Sequence, residues 1–277
     1  MIIKDALNWA EEKLNSSCLR ARFEAELLLS YHLNQDRSYL HAYDNRVIKD
    51  INGFKKLVYR RANYEPYEYI VGSVSFYDIE LKIKKGVLIP RPETELLIDL
   101  VSNIIEQQSI TSIAEIGIGS GAISIVLARK FPQLNIIATD ISPIAITLAK
   151  ENIERFKLED RVRVIQSNLL DEIKKEHIEL VVSNPPYIAN GFKLEKNISD
   201  YEPKEALFGG EVGDELLKEI ILDIKTRGIQ YLACEMGYNQ RASIEKFFKK
   251  IGVKSYQFYQ DLSKLDRGFI ITLSSKS

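Results

Sequence analysis

The protein has 277 residues, of which 45% are hydrophobic and 28% charged, and its formal net charge at pH 7 is −1. This length is enough for one large and one small domain, and the composition is that of a globular chain. Proteins that bind phosphate backbones usually carry a basic excess, so the balanced charge argues against a direct nucleic-acid substrate. No segment reaches the roughly 20 apolar residues of a membrane span, so we expect no membrane association.

Metal and disulfide chemistry are also disfavoured. Cys18 and Cys234 are the two cysteines; they lie far apart and form no metal-ligand spacing, and the three histidines cluster with no cysteine or acidic pair. The N-terminus lacks the basic and apolar regions of a signal peptide. We therefore expect no metal, two reduced and mostly buried thiols, and a cytoplasmic location.

The first 73 residues predict a small helical domain. Apolar residues recur at helical spacing in three segments: Ile3–Leu14, Phe23–Leu33 and Val47–Ala62. Because these helices are short and one-sided, they must pack on one another. Residues 74–90 then alternate apolar and polar side chains, which predicts a β-hairpin linker between this domain and the rest of the chain.

A turn is expected near Gly86, and residues 91–277 predict a second, larger domain that opens with a helix at ETELLIDLVSNII. After this helix, strands and helices alternate. The predicted strands are 112–117, 134–140, 162–168, 178–184, 229–236, 253–260 and 268–274, and the predicted helices are 120–131, 143–156, 214–227 and 239–251.

Such alternation implies a mainly parallel sheet with helices on both faces. No helix separates the last two strands, so they should pair as an antiparallel hairpin at the end of the sheet. We therefore predict an α/β fold: a Rossmann-like, seven-stranded domain of the kind found in methyltransferases, preceded by the helical bundle and the hairpin.

A glycine-rich turn, Gly117-Ile118-Gly119-Ser120-Gly121, leaves the first of these strands and enters a helix. The glycines permit a tight turn and a close approach of ligand, and the free N–H groups of the helix favour a carboxylate or phosphate. NAD-binding folds use a similar turn, and a purely structural turn has the same appearance. The motif alone therefore does not identify its ligand.

The next two strand ends add to this pattern. Asp140 ends the second strand, where a carboxylate can accept both ribose hydroxyls of an adenosine; the alternative is a helix N-cap. Asn168 ends the third strand, where its amide can contact an adenine edge while Leu169 packs on the ring. The alternative for Asn168 is a solvent-facing loop position.

Asn184-Pro185-Pro186-Tyr187 follows the fourth strand, at the carboxyl edge where ligands bind in open α/β sheets. Two prolines hold the backbone extended and provide no N–H donors. The side-chain oxygen of Asn184 and the carbonyl of Pro185 can then accept both hydrogens of a planar –NH2 group, on which Tyr187 can stack. The alternative is a strand stop with a structural tyrosine. The pattern predicts methyl transfer to an amino or amide nitrogen.

With these motifs, the chain resembles the protein-(glutamine-N5) methyltransferases that modify bacterial class I peptide chain release factors. The resemblance covers nearly the whole chain. It rests on YEPYEYIVGSVSFYDIELKI (64–83), VLIPRPETELL (87–97), EIGIGSGAISI (115–125), SNPPYI (183–188), YEPKEALFGGEVGDELLKEII (201–221) and EMGYNQ (235–240). The tetrapeptide NPPY is shared with N6-adenine DNA methyltransferases, so the RPETE and EPKEALFGG segments and the N-terminal helices carry the distinction.

The resemblance implies that S-adenosyl-L-methionine donates a methyl group to the glutamine of the release factor's Gly-Gly-Gln loop, leaving S-adenosyl-L-homocysteine. The implied cofactor contacts are Gly117, Ile118, Gly119, Ser120, Gly121, Asp140, Asn168, Leu169 and Asn184. The implied catalytic and substrate contacts are Asn184, Pro185, Pro186 and Tyr187, with Arg91 and Glu93 in a segment that covers the active site. From the residues alone, the alternative for Arg91, Pro92 and Glu93 is a helix that begins at the proline, with the glutamate at its N-terminus.

Three features depart from the family pattern. Ile118 stands where threonine is common, Asn168 stands where aspartate is common, and EVGDELL differs from the usual Gly-Asp-Gly-Leu order. The backbone donors of the glycine turn remain, and an amide can still accept from an adenine amino group. We therefore expect adenosine binding to survive.

Other functions remain open on the residues alone. An adenine methyltransferase acting on DNA or RNA would need a basic cleft and a target-recognition domain, and a related glutamine methyltransferase would modify a ribosomal protein. A non-enzymatic module would show a broken glycine turn or a broken amide clamp, the name used here for Asn184-Pro185-Pro186-Tyr187. Both motifs are intact in this sequence. We expect a monomeric enzyme that acts on release factors and supports translation termination.

Overall fold

The computed structural model describes residues 1–273. The chain forms two compact units: residues 1–73 with 194–201, and residues 74–193 with the chain from residue 202 onward. The helices are α1 (Ile3–Leu14), α2 (Ala21–Leu33), α3 (Arg37–Ala42), α4 (Ile51–Ala62), α5 (Tyr67–Val71), α6 (Thr94–Gln108), α7 (Ala122–Lys130), α8 (Pro143–Arg155), α9 (Lys196–Ser199), α10 (Glu215–Arg227) and α11 (Arg241–Ile251). The strands are β1 (Ser73–Phe76), β2 (Ile79–Lys82), β3 (Ser112–Ile116), β4 (Asn135–Asp140), β5 (Val162–Gln166), β6 (Leu180–Ser183), β7 (Ile188–Ala189), β8 (Phe208–Gly210), β9 (Tyr231–Glu235), β10 (Ser255–Gln260) and β11 (Asp266–Thr272).

The first unit is a helical bundle with its own apolar core, supplied mainly by α1, α2 and α4. Helix α4 begins at Ile51 rather than at Val47, because the Asp50 carboxylate caps it by accepting the Gly53 N–H at 2.9 Å. The short helices α3 and α5 were not expected. Asp36 caps α3 in the same way, accepting the Tyr39 N–H at 2.7 Å.

Strands β1 and β2 form the expected two-stranded sheet, but its turn is not at Gly86. Only Tyr77 and Asp78 separate the two strands, and Tyr77 takes the left-handed conformation with φ of 56°. Gly86 lies in a later turn, at φ of 93°. The alternating pattern was misleading here because it continues into residues 83–90, which form no strand.

The second unit contains a seven-stranded sheet in the order β10-β11-β9-β6-β3-β4-β5. Strands β9, β6, β3, β4 and β5 are mutually parallel, and β11 runs antiparallel to both β9 and β10. The predicted α/β fold and the terminal antiparallel pair are confirmed. Strands β6 and β9 are buried throughout, as expected for central parallel strands. The predicted end of the last strand, at residue 274, lies outside the described residues.

The strand order reverses beside β3. From β3 the chain proceeds outward through β4 and β5, and then returns to the other side of β3 as β6. Ile116 at the end of β3 pairs with Thr139 of β4 and with Ser183 of β6. The glycine turn, Asp140 and Asn184 therefore leave the sheet at one edge, at the switch point where open α/β sheets bind ligands.

Cys18 and Cys234 are both buried and unpaired. Within residues 1–273, no helix is long and apolar enough to span a membrane. In the same residues, no three His, Cys, Asp or Glu side chains are grouped as a metal site would require.

Candidate active site

A cavity of about 190 Å³ opens at the switch point of the sheet. It exceeds the roughly 30 Å³ that one water molecule occupies, so it has room for part of a small-molecule ligand. Its lining includes Val87, Leu88, Ile116, Gly117, Gly119, Thr139, Asp140, Ile141, Ala145, Asn168, Leu169, Asn184, Pro185, Pro186, Glu205, Ala206 and Leu216. Most of these side chains are apolar, and Asp140 and Glu205 supply the carboxylates.

The glycine turn brings backbone rather than side chains to the cavity. Gly117, Gly119 and Gly121 have φ values of 78°, 54° and 89°, which side-chain-bearing residues rarely adopt. The N–H groups of Gly117 and Ile118 both donate to the Thr139 carbonyl, at 2.8 and 2.9 Å. Ile118 is itself buried. Isoleucine in place of the family's threonine therefore changes a buried core position. The N–H groups of Gly117 and Ile118 are already bonded to the Thr139 carbonyl.

Asp140 fixes the turn to the neighbouring strand end. Its Oδ2 accepts the Gly119 N–H at 3.0 Å, and its Oδ1 accepts the Ser142 N–H at 2.9 Å. Burial raises the pKa of Asp140, while these backbone donors oppose the rise. The N-cap of α8 is Ser142, whose Oγ accepts the Ala145 N–H. Asp140 is therefore not a helix cap, and its carboxylate lines the cavity.

The two predicted adenine contacts lie just beyond β5, which ends at Gln166 rather than Asn168. Asn168 and Leu169 both line the cavity. Leu169 is buried and has a positive φ of 44°, which turns the chain at this point. Asn168 is exposed, and its Nδ2 lies 3.4 Å from Asp171 Oδ2.

The Asn184-Pro185-Pro186 segment lines the same cavity as Asp140. A methyl group on Gly117 would lie 3.9 Å from the Asn184 carbonyl oxygen, so the two motifs are adjacent. The side-chain Nδ2 of Asn184 donates to Thr94 Oγ1 at 3.0 Å. This bond holds the side-chain amide by its nitrogen end and directs Oδ1 the other way.

Tyr187 packs against the apolar cluster on one face of the sheet and is not among the described residues that line the cavity. Burial raises its pKa to about 12, and the nearby Glu235 carboxylate contributes to the increase. The Tyr187 carbonyl accepts a hydrogen bond from Gln240 Nε2 at 2.8 Å. Tyr187 is therefore neutral at physiological pH, and its backbone is anchored at the start of α11.

The ALFGG segment packs against the backbone of the Asn184-Pro185-Pro186-Tyr187 clamp. Strand β8 pairs with β7, which directly follows Tyr187. A methyl group on Gly209 would collide with the Pro186 carbonyl oxygen and lie 2.6 Å from the Gly213 carbonyl oxygen. Glycine at 209 is therefore required for close backbone packing rather than for flexibility.

Arg91 and Glu93 lie outside the cavity lining formed by the described residues. Arg91 pairs with the buried carboxylate of Glu202, which also accepts the Ile89 N–H at 3.2 Å. Glu93 lies 3.7 Å from the Arg267 guanidinium. Glu202 thus joins the RPETE and EPKEALFGG segments, a link that their sequence separation did not suggest.

Four supporting residues were not recognised from the sequence: Thr94, Glu202, Gly209 and Gln240. All four lie within segments that resemble the family, which was the available signal. No spacing rule connects them to the clamp, because each acts through a contact between distant parts of the chain.

Asn152 of α8 ties the hairpin to the glycine turn. Its buried amide accepts the Lys82 N–H at 2.9 Å and donates to the carbonyls of Lys82 and Ser120 at 3.0 and 2.9 Å. We expect Asn152→Ala to lower the free energy of unfolding by about 2–4 kcal/mol, since it leaves buried backbone groups unpaired. The measurement is the free energy of unfolding from urea titration. Asn103→Ala, at an exposed position of α6, is the control and should be as stable as the wild type. Equal stability of the two variants would contradict the expectation.

Comparison with known proteins matches both units. The family model for the PrmC N-terminal domain matches residues 5–72, and the model for the methyltransferase small domain matches residues 92–201. A release factor glutamine methyltransferase of Dictyoglomus turgidum is 36% identical, over 93% of this chain and 94% of its own length. A release factor glutamine methyltransferase of Clostridium botulinum is 34% identical, over 96% of this chain and 98% of its own length. A bifunctional methyltransferase of Rickettsia typhi is 36% identical, over 96% of this chain and 56% of its own.

Solved structures support the fold. The hMettl16 catalytic domain in complex with MAT2A 3'UTR hairpin 6 superposes with a TM-score of 0.58 at 19% identity, over 71% of this chain and 76% of that one. The N-terminal domain of human METTL16 in complex with SAH superposes with a TM-score of 0.51 at 19% identity, over 69% of this chain and 74% of that one. At this identity the likeness concerns architecture alone. The identity and coverage of the curated relatives show that the chain belongs to the release factor glutamine methyltransferase family and is an S-adenosylmethionine-dependent methyltransferase.

Proposed function

We propose that this enzyme methylates the side-chain amide nitrogen of the glutamine in the Gly-Gly-Gln motif of class I peptide chain release factors. The observation that carries the proposal is the orientation of Asn184, whose Nδ2 is bonded to Thr94 so that Oδ1 is left to accept a substrate hydrogen. The relatives named release factor glutamine methyltransferase support the choice of substrate.

The residues around the cavity fit the cofactor. Gly119 has no atom within 4 Å of where a Cβ would stand, Asp140 presents a carboxylate, and Leu169 offers an apolar surface. The residues we propose to hold it are Gly117, Ile118, Gly119, Ser120, Gly121, Asp140, Asn168, Leu169 and Asn184. When bound, S-adenosylmethionine supplies an electrophilic methyl group on its sulfonium sulfur.

The clamp addresses the weakness of an amide as a nucleophile. The amide lone pair is delocalised, so the nitrogen must pyramidalise as it attacks and gains positive charge. Acceptors at Asn184 Oδ1 and the Pro185 carbonyl would hold both N–H bonds and stabilise that charge more in the transition state than in the ground state. The nitrogen can lose its proton after the transfer, so no base is needed beforehand. Fixing the geometry can contribute about 7–11 kcal/mol.

The remaining contacts are part of the same proposal. Tyr187 is proposed to pack on the glutamine amide, and Arg91 and Glu93 to contact the release factor. The enzyme would act as a cytoplasmic monomer on a protein, without a direct nucleic-acid substrate. The balanced charge of −1 supports this choice over DNA or RNA.

The test offers the enzyme both substrate classes. With labelled cofactor, we expect methyl transfer to a release factor and none to duplex DNA, and mass spectrometry should locate one methyl group on the glutamine of the Gly-Gly-Gln peptide. A release factor with that glutamine replaced by alanine is the control and should remain unlabelled. Label on DNA, with none on the release factor, would refute the proposal.

A further inference from the structure

Glu205 brings a second carboxylate to the wall of the cavity that is proposed to hold the cofactor. It lies in the 3-10 helical turn Lys204–Ala206, is exposed, and lines the cavity together with Asp140. Within residues 1–273, the Glu205 carboxylate forms no hydrogen bond or ion pair. The Asp140 carboxylate is held by backbone N–H groups, which carry no formal charge. Among the described residues, neither carboxylate is therefore neutralised by a cationic side chain.

The other described residues of the cavity wall supply no positive charge. None of them is lysine, arginine or histidine, and most are glycine, proline or apolar residues. Burial raises the pKa of Asp140, and the charge of Glu205 adds to the rise. The charge of Glu205 thus reaches another part of the same wall, so a ligand in the cavity is also exposed to it. The cavity is a region of negative potential and favours a cationic ligand.

The cofactor and its product differ by one methyl group and one positive charge. Both molecules carry an ammonium and a carboxylate group, whose charges cancel. S-adenosylmethionine also carries the positive charge of its sulfonium sulfur, whereas the sulfur of S-adenosylhomocysteine is neutral. A negatively charged cavity wall therefore attracts the cofactor more strongly than the product, although the two molecules have nearly the same shape.

We propose that Glu205 is a specificity-determining residue that makes the cavity bind S-adenosylmethionine in preference to S-adenosylhomocysteine. During transfer the carbon–sulfur bond breaks, its electron pair stays on sulfur, and the positive charge passes to the substrate nitrogen. The attraction to Glu205 is then lost, which favours release of the product. The proposal rests on the proposed placement of the cofactor in this cavity.

Glu205→Gln tests the proposal, because it removes the charge with little change in shape and breaks no hydrogen bond to a described residue. The measurement is calorimetric titration with each of the two ligands. Affinity for S-adenosylmethionine should fall about threefold to fivefold, the upper range for an exposed ion pair. Affinity for S-adenosylhomocysteine should be unchanged. The ratio of the two dissociation constants isolates the effect of the sulfonium charge.

Two further variants separate this effect from a general change in charge. Glu205→Lys should lower the preference for S-adenosylmethionine by roughly tenfold, because it replaces an attraction with a repulsion. Glu159→Gln is the control, since Glu159 is exposed in the turn before β5 and is not among the described residues that line the cavity. It changes the net charge as Glu205→Gln does and should keep the wild-type preference. In 1 M salt, where the Debye length is about 3 Å, the difference between Glu205→Gln and wild type should shrink.

The outcomes of these titrations are distinct from those that test the site and the substrate. An equal loss of affinity for both ligands in Glu205→Gln, or no loss for either, would overturn the proposal. The titrations need no release factor, so they remain valid if the enzyme methylates another substrate. Weak binding of both ligands in Asp140→Ala, with an unaltered preference in Glu205→Gln, would support the cofactor's placement and refute only the role of Glu205.

Discussion

Asn184→Ala is expected to lower kcat for the release-factor glutamine by about a thousandfold, the upper range for removing one group that stabilises transition-state charge. Alanine keeps the strand end but removes the amide oxygen that is proposed to hold the substrate nitrogen. The measurement is single-turnover methyl transfer with saturating cofactor. Binding of S-adenosylhomocysteine, measured by calorimetry, should change by no more than about fivefold, since loss of a peripheral hydrogen bond is worth about 1 kcal/mol or less.

Two comparisons separate this chemical effect from a structural one. Asn190→Ala is the control, because Asn190 lies six residues further on, is exposed, and donates to Glu211 Oε1 at 3.0 Å. It should retain the wild-type rate. Asn184→Asp keeps acceptor oxygens but loses the donor that bonds Thr94, so its rate should fall between those of alanine and wild type. A near-normal rate for Asn184→Ala would disprove the clamp mechanism.

The residues that converge at the cavity could be predicted because they follow a topological rule. Asp140 ends a parallel strand, and Gly117, Asn168 and Asn184 each follow one; the carboxyl ends of parallel strands meet at one edge. Alternation of strands and helices was therefore enough to place them together. Their roles toward cofactor and substrate stay predictions, which the variants described here test.

The long-range hydrogen bonds that hold the site residues in place could not be predicted in the same way. Thr94 and Asn184 are 90 positions apart, and Ile89 and Glu202 are 113 apart, yet each pair is hydrogen-bonded. Such contacts arise from the packing of α6 and the irregular segments around the sheet, which no local periodicity encodes. The hairpin turn was misplaced for a related reason: Tyr77, rather than a glycine, adopts the positive φ there.

Asp140→Ala should weaken binding of S-adenosylhomocysteine by roughly a hundredfold, since hydrogen bonds to a charged group contribute about 1.5–3 kcal/mol each. The variant removes the proposed ribose acceptor and also releases the Gly119 and Ser142 N–H groups that the carboxylate fixes. Asp140→Asn should lose nearly as much affinity. Its amide has only one oxygen, and its –NH2 group would face one of those two donors.

The measurement is calorimetric titration well below the unfolding temperature, with Asp160→Ala, at an exposed position of the turn before β5, as the control. Asp160→Ala should bind as the wild type does. At cofactor concentrations high enough to saturate the Asp140 variants, kcat should recover to within about tenfold, because Asp140 is proposed to act through binding rather than chemistry. Asn184→Ala should show the opposite pattern, with normal binding and a lost rate. Unchanged affinity in Asp140→Ala would place the adenosine elsewhere, whereas a kcat that stays a thousandfold low at saturation would show that the carboxylate also orders the clamp through the adjacent glycine turn.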